Sequence, residues 1–200
     1  MLSTYSGCNI EAGCDEAGRG CLSGPVVAAA VMLPKGPPYS LIADSKKLSE
    51  KARNEAAEWI KSNALAWSVA SVSPEEIDKV NILNASILAM NKAVGMLNIQ
   101  PEYLLIDGNR FHTTLGIPFT CIIKGDSKIA SISAASILAK TSRDQIMIDL
   151  HEKHPEFNWK QNKGYPTKEH RNAIIKYGAT PWHRKSFRVR DVEQREILFE

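Results

Sequence analysis

The run Pro25-Val26-Val27-Ala28-Ala29-Ala30-Val31-Met32-Leu33 constrains the fold more than any other stretch of the chain. It is almost continuously apolar and carries β-branched residues, so it favours an extended strand that offers water no polar face. Such a strand is stable only inside a sheet covered on both sides, and helices are the usual cover. The flanking sequence supplies them. Ser49 caps a predicted helix of about 14 residues through Trp59-Ile60. Leu65 to Val72 alternates as a strand, and Ser73-Pro74-Glu75-Glu76 opens a helical stretch to about Leu97. Asn9 to Cys14, Tyr103 to Ile106 and Phe119 to Ile123 read as further strands. One long helix runs from about Ala130 to Leu150, with Ala134, Ala135, Ser136 and Ala139 as a small-residue face that packs closely on a sheet. The cluster Pro34-Lys35-Gly36-Pro37-Pro38 reads as a hairpin-like loop. Strands followed by helices in this order imply an α/β sheet with helices on both faces.

Two hundred residues suit one domain with a small appendage and suffice to bury a full core. Cys8, Cys14, Cys21 and Cys121 form neither a CxxC pair nor a Cys/His quartet, which argues against zinc and for a reduced, cytoplasmic setting. They are expected as core or strand residues. The first residues, MLSTYSGCNIEAG, lack a basic segment before an apolar run, and no apolar stretch is long enough to cross a bilayer. The expectation is an untargeted protein with no membrane partner.

The net charge of +3 hides an asymmetry. Residues 151 to 190 hold ten Lys or Arg against three Asp or Glu, a net of +7, which leaves −4 for the rest. That arm also contains Phe157, Trp159, Tyr165, Tyr177, Trp182 and four of the five histidines. Cations interleaved with aromatics are a common nucleic-acid surface, although a solvated lysine-rich helix has a similar composition.

In Cys14-Asp15-Glu16-Ala17-Gly18-Arg19-Gly20, two adjacent carboxylates precede a glycine-flanked arginine. Crowded carboxylates repel unless a cation or proton lies between them, and glycines let the main chain approach an anionic ligand. A site joining metal and phosphate fits this pattern, and so does a solvated turn. Further acids favour the first reading. Asp107 follows one predicted strand and precedes Gly108, and Asp126 follows another in Lys124-Gly125-Asp126-Ser127. With Asp15 and Glu16, three strands thus bring four carboxylates to sheet edges, where ligand sites of such folds gather. Individually, Asp-Gly is a good turn and Asp126 could cap a helix. Asp144 lies 18 residues beyond Asp126, roughly 27 Å along a helix, and is assigned a structural role or a remote ion pair. An oxygen-only donor set selects magnesium or manganese. Two such ions about 4 Å apart activate a water and stabilise the leaving oxygen of a phosphodiester, which explains a need for several carboxylates.

These residues carry a family resemblance. Asp15 to Ala29, Asp44-Ser45-Lys46-Lys47-Leu48, Ile106-Asp107-Gly108, Lys124-Gly125-Asp126, Ala134 to Lys140, Arg143-Asp144, Lys163-Gly164-Tyr165 and His183-Arg184 together resemble the bacterial ribonuclease HII family, the type 2 ribonucleases H. The match runs in order from residue 10 to about 188, and its first motif and the Ala134 to Lys140 helix are highly specific. The resemblance implies a ribonuclease H-like fold, with a central mixed sheet flanked by helices and a small C-terminal helical extension. The catalytic domain would span residues 1–150, and a basic extension over 151–200 would contribute to substrate binding. It implies hydrolysis of RNA paired with DNA and incision 5′ of single ribonucleotides in duplex DNA, leaving 3′-hydroxyl and 5′-phosphate ends. Asp15, Glu16, Asp107 and Asp126 match the family's catalytic and metal-binding carboxylates, with two Mn2+ or Mg2+ ions expected. Gly18, Arg19 and Gly20 match the loop whose backbone contacts the 2′-hydroxyl, and Tyr165 matches the tyrosine that packs on the sugar at the RNA-DNA junction. Lys46 and Lys47 are expected to grip phosphate, or to lie in a solvated turn before the helix.

The type 3 ribonucleases H share this chemistry, but they usually read Asp-Glu-Val-Gly-Thr-Gly at the first motif and carry an added N-terminal domain. A catalytically inactive hybrid-binding module is the reading of another class, and the intact set of four acids speaks against it. The partners expected are RNA/DNA hybrids and ribonucleotide-containing duplexes, met by a monomer. Beyond Val189, Gln194, Ile197 and Phe199 have the spacing of short peptides that dock on bacterial sliding clamps, although such a three-anchor pattern recurs by accident and Ile197, Leu198 and Phe199 more often fold back on the body as ordinary core.

Overall fold

The computed structural model describes residues 2, 4–8, 10–36, 42, 48–190 and 196–197. Lys46, Lys47, Gln194 and Phe199, named above as candidate contacts, lie outside them.

The apolar run forms β2 (Val26–Met32), buried at every position. It pairs antiparallel with β1 (Glu11–Ala17) on one side and β3 (Ala66–Val72) on the other. On its far edge β1 pairs in parallel with β4 (Tyr103–Asp107), which pairs in parallel with β5 (Phe119–Ile122). The mixed sheet therefore runs β3-β2-β1-β4-β5. Strand alternation assigns the two faces of β2 to different cores. Val26, Ala28, Ala30 and Met32 meet α2 (Pro74–Gly95) through Ile77, Ala85, Ala89 and Ala93. Ala29 and Val31 meet α1 (Glu50–Asn63) and α3 (Ala130–Lys153) through Ala56, Ile60, Ala134 and Leu138. Small residues set the helix-to-sheet distance. A Cβ on Gly13 of β1 would stand 2.2 Å from the carbonyl carbon of Ser131, so α3 lies almost on that strand's backbone.

Helix starts follow the expected chemistry. Ser49 Oγ accepts the amide of Ala52 at the head of α1. Ser73 and Glu76 form a reciprocal capping box on α2. Inside α2, Asn81 turns to φ 66°, ψ 165° and its Oδ1 accepts the amide of Asn84, so the stretch is two helices in tandem. One expectation is corrected: β1 continues through Ala17 instead of ending at Cys14, because β2 pairs with it as far as Ala17 opposite Val27. Of the expected hairpin-like loop, Pro37 and Pro38 lie outside the described residues, and β3, the antiparallel partner of β2, follows only after α1.

Beyond α3 follow a 3-10 turn (Pro155–Phe157), α4 (Trp159–Asn162) and α5 (Lys168–Tyr177). Their core joins Phe157, Trp159, Ala173 and Ile174 to Met147 and Leu150 of α3 and to Leu22. Phe157 and Trp159, expected among the aromatics of a binding surface, are buried. They fill the gap between α3 and α5, and Trp159 Nε1 donates to His170 Nε2 at 3.0 Å. The expected boundary at residue 150 falls within α3. A two-stranded ribbon pairs β6 (Val189–Arg190) with β7 (Glu196–Ile197).

Candidate active site

The parallel pairing of β1 and β4 ends at Cys14 opposite Ile106, so the next residues, Asp15 within β1 and Asp107 at the end of β4, stand side by side where that pairing stops. A cleft of about 460 Å³ opens there. Asp15, Glu16 and Asp107 supply its acidic groups, Gly18, Arg19 and Gly20 line it from the loop after β1, and Arg53, Ser136, Lys140 and Tyr165 complete the lining. Asp15 is only 6% exposed. One of its oxygens accepts the amide of Glu16 at 2.7 Å, and the Ser136 hydroxyl donates to the carboxylate. Asp107 Oδ1 accepts the amide of Gly125 at 2.7 Å. The next residue, Asp126, sits in a 3-10 turn (Gly125–Ser127), is 3% exposed, and does not line the cleft. The structure thus brings together three of the four expected carboxylates and leaves Asp126 off the cleft lining, one residue from the amide that holds Asp107.

The electrostatics reflect this crowding. Burial, and then the charges of Glu16 and Asp107, push the Asp15 carboxyl well above the usual range, against the hydrogen bonds from Ser136 and the Glu16 amide. Glu16 is also raised by burial, with Asp107 adding to the shift and Arg19, 3.1 Å away, opposing it. A positive charge in the cleft would relieve both. The donors that Asp15, Glu16 and Asp107 offer are carboxylate oxygens, which fits a hard divalent cation in kind. Among the described residues, no three His, Cys, Asp or Glu side chains already form a cage for an ion.

Two constraints demand glycine at position 18: its φ is +95°, and a Cβ there would lie 2.0 Å from Arg143 Nε. A Cβ on Gly20 would meet nothing within 4 Å, so this glycine rim is open. Tyr165 is 42% exposed, and burial raises its hydroxyl above the usual phenol range. Lys140 Nζ stands 6.0 Å from the centre of its ring.

Arg53, Ser136 and Lys140 were not singled out as site residues by sequence reasoning. Ser136 and Lys140 are one turn apart on α3, a spacing that signals a shared face once the helix's orientation is known. Arg53, on α1, carries no comparable signal. Asp144 does make the expected ion pairs, with Lys140 at 2.5 Å and Arg53 at 3.5 Å, and both partners line the cleft. His183 and Arg184 are buried. Burial, and then the neighbouring His170, push His183 down to about 3.

A family model described as Ribonuclease HII matches residues 12–190. The chain is similar to the ribonuclease HII of Bacteroides thetaiotaomicron, with 59% identity over 180 residues, 90% of each chain. Among solved structures it resembles the ribonuclease H2 of Pyrococcus horikoshii, with a TM-score of 0.76 and 26% identity over 89% of this chain and 93% of that one. It also resembles ribonuclease HII in its complex with PCNA from Archaeoglobus fulgidus, with a TM-score of 0.76 and 27% identity over 91% of this chain and 96% of that one.

Proposed function

The chain belongs to the ribonuclease HII family, and we propose that Asp15, Glu16, Asp107 and Asp126 are the catalytic centre of its activity. That activity is endonucleolytic hydrolysis of the RNA strand of RNA/DNA hybrids, together with incision 5′ of single ribonucleotides in duplex DNA. The observation that carries the site is the convergence of Asp15 and Glu16 of β1 with Asp107 of β4 on one cleft, just beyond the last paired residues of the two parallel strands and beside Gly18 and Gly20. These three and Asp126 would hold divalent cations, two of Mg2+ or Mn2+. Such ions, when bound, supply an activated water and stabilise charge on the phosphodiester.

The chain's own residues do the rest. Main-chain groups of Gly18, Arg19 and Gly20 bind the 2′-hydroxyl; a DNA sugar leaves them unmatched, which discriminates more sharply than shape alone. Tyr165 packs on the sugar at the RNA-DNA junction. Arg53 and Lys140, held by Asp144, hold phosphates of the bound strand. Ser136 fixes the orientation of Asp15. Lys46 and Lys47 extend the phosphate grip.

The basic segment after residue 150 contributes to duplex binding, and one chain supplies every carboxylate of the site, so the enzyme acts as a monomer. Four free cysteines suit work in the cytoplasm. The tail residues Gln194, Ile197 and Phe199 dock on a sliding clamp. That reading is supported by the solved complex of the archaeal relative with PCNA. The test of the site is Asp126→Asn. If Asp126 joins the other three, the variant loses metal-dependent cleavage of a duplex bearing one ribonucleotide while still binding it. Unchanged cleavage would remove Asp126 from the centre.

A further inference from the structure

Two arginines buried at the back of the cleft have no part in the chemistry above. Arg143, on α3, is 1% exposed, and Arg184, beyond α5, is 0% exposed. Arg143 turns its guanidinium to main-chain oxygens: Nε to Pro25 at 3.0 Å, Nη2 to Ser23 at 2.9 Å and Nη1 to Lys163 at 2.8 Å. Arg184 does the same, with Nε on Gly24 and Nη1 on Arg19, both at 3.0 Å, and its amide on the carbonyl of Leu22 at 2.9 Å. Burial pulls Arg184 down to about 10. Burying a guanidinium with no carboxylate partner costs desolvation about equal to what the hydrogen bonds return. Such an arrangement adds little stability, but it fixes geometry.

The geometry it fixes is specific. Arg19, Ser23, Gly24 and Pro25 belong to the loop joining β1 to β2, which carries the glycine rim. Lys163 opens the turn that carries Tyr165. Arg143 is therefore one rigid fork bridging the two, and one direct tie runs beside it, the Leu22 amide to the Gly164 carbonyl at 2.8 Å. A Cβ on Gly164 would lie 2.6 Å from the Ser23 carbonyl oxygen, so loop and turn are in contact.

We propose that Arg143 and Arg184 are positioning residues for substrate choice: Arg143 holds the glycine rim and the Tyr165 turn at a fixed separation, and Arg184 braces the rim's own loop, so that rim and tyrosine engage one RNA-DNA junction. The inference rests on the assignment of that rim and of Tyr165 to ribonucleotide reading. Its consequence differs between substrates. On a long hybrid every nucleotide of the cleaved strand carries a 2′-hydroxyl, so a small shift of rim against tyrosine still finds a ribose. A duplex with one ribonucleotide offers a single register, where a displacement of about 1 Å costs about a hundredfold in rate.

Lysine keeps the charge but not the fork that spans three carbonyls. Arg143→Lys and Arg184→Lys, in the full chain, are compared with wild type on both substrates by steady-state kinetics, with melting temperature followed in parallel. Cleavage at the single ribonucleotide should fall about ten- to a hundredfold, mainly in kcat, and hybrid cleavage by much less. In a Tyr165→Ala background, Arg143→Lys should alter the ratio between substrates little further. Equal losses on both substrates, or loss of the folded state in both lysine variants, would make the arginines merely structural and overturn the proposal. If Tyr165→Ala is selective and the lysine variants are not, positioning fails and the reading of Tyr165 stands. If Tyr165→Ala itself loses both substrates equally, that reading fails and takes the proposal with it.

Discussion

Asp15, proposed above as a catalytic residue, carries a carboxyl whose charged form works against stability. Its carboxyl is held above the usual range by burial and by two neighbouring acids. A group raised in the folded state favours folding below its unfolded value, here 3.8, and that contribution is lost as pH rises through the folded value. At neutral pH the charged form therefore opposes folding. Asp15→Asn is expected to stabilise the metal-free protein by about 1 to 2 kcal/mol while abolishing cleavage and sparing duplex binding. Thermal melting and a binding assay check this, and a destabilised or active variant would contradict it. Tyr165→Ala should selectively weaken incision at single ribonucleotides, since packing on a sugar is worth about 1 kcal/mol and acts only where the junction is present. Equal losses on long hybrids would mean that Tyr165 supports the fold. The acids were legible in sequence because Asp15-Glu16 and Asp107-Gly108 follow strand-like runs. Ser136 and Arg53 were not, because their place in the cleft depends on how α3 and α1 are rotated against the sheet.

At the level of elements, most strands and helix starts were legible from local chemistry, since apolar period and caps are properties of neighbouring residues. The exceptions are set by distant ones. β1 runs past Cys14 because β2 continues to pair with it, and the kink at Asn81 has no glycine or proline to announce it. The layer of α4 and α5 depends on two neutral imidazoles. His170 Nε2 lies 3.1 Å from Ser23 Oγ and accepts from Trp159, while His183 Nδ1 accepts the amide of Thr180 at 2.9 Å. Burial lowers both, His183 to about 3. The unfolded chain, with histidines near 6.5, then binds more protons in acid. The histidines' contribution to stability is full above about pH 6.5 and falls as pH drops toward 3, with His183 accounting for a loss of about 2 kcal/mol by pH 5. Urea unfolding at pH 7 and pH 5 measures this, and His183→Gln should remove that part of the difference. An unchanged difference would mean that His183 is not the group responsible.

The whole molecule is an acidic body with a basic segment, and charge counting located that segment without revealing its architecture. The core beneath α5 draws on Leu22, Met147 and Leu150, neighbours distant in sequence that composition cannot register. Removing the segment would strip that core, so its role is better tested by charge alone. Replacing the exposed Lys160, Lys168, Lys176 and Lys185 with glutamine should flatten the dependence of log duplex affinity on log salt by about 0.9 for each phosphate no longer neutralised. An unchanged slope would make the segment a solvated surface. The central claim, that the carboxylates brought together by β1 and β4 form one catalytic centre, is tested most directly by single-turnover cleavage of a duplex bearing one ribonucleotide, with the ends mapped, by wild type and by Asp107→Asn. Wild type should cut on the 5′ side of the ribonucleotide and leave a 3′-hydroxyl and a 5′-phosphate. The variant should bind the duplex but cleave it about a thousandfold more slowly, and an Asp107→Asn enzyme that cuts at the wild-type rate in magnesium would contradict the account.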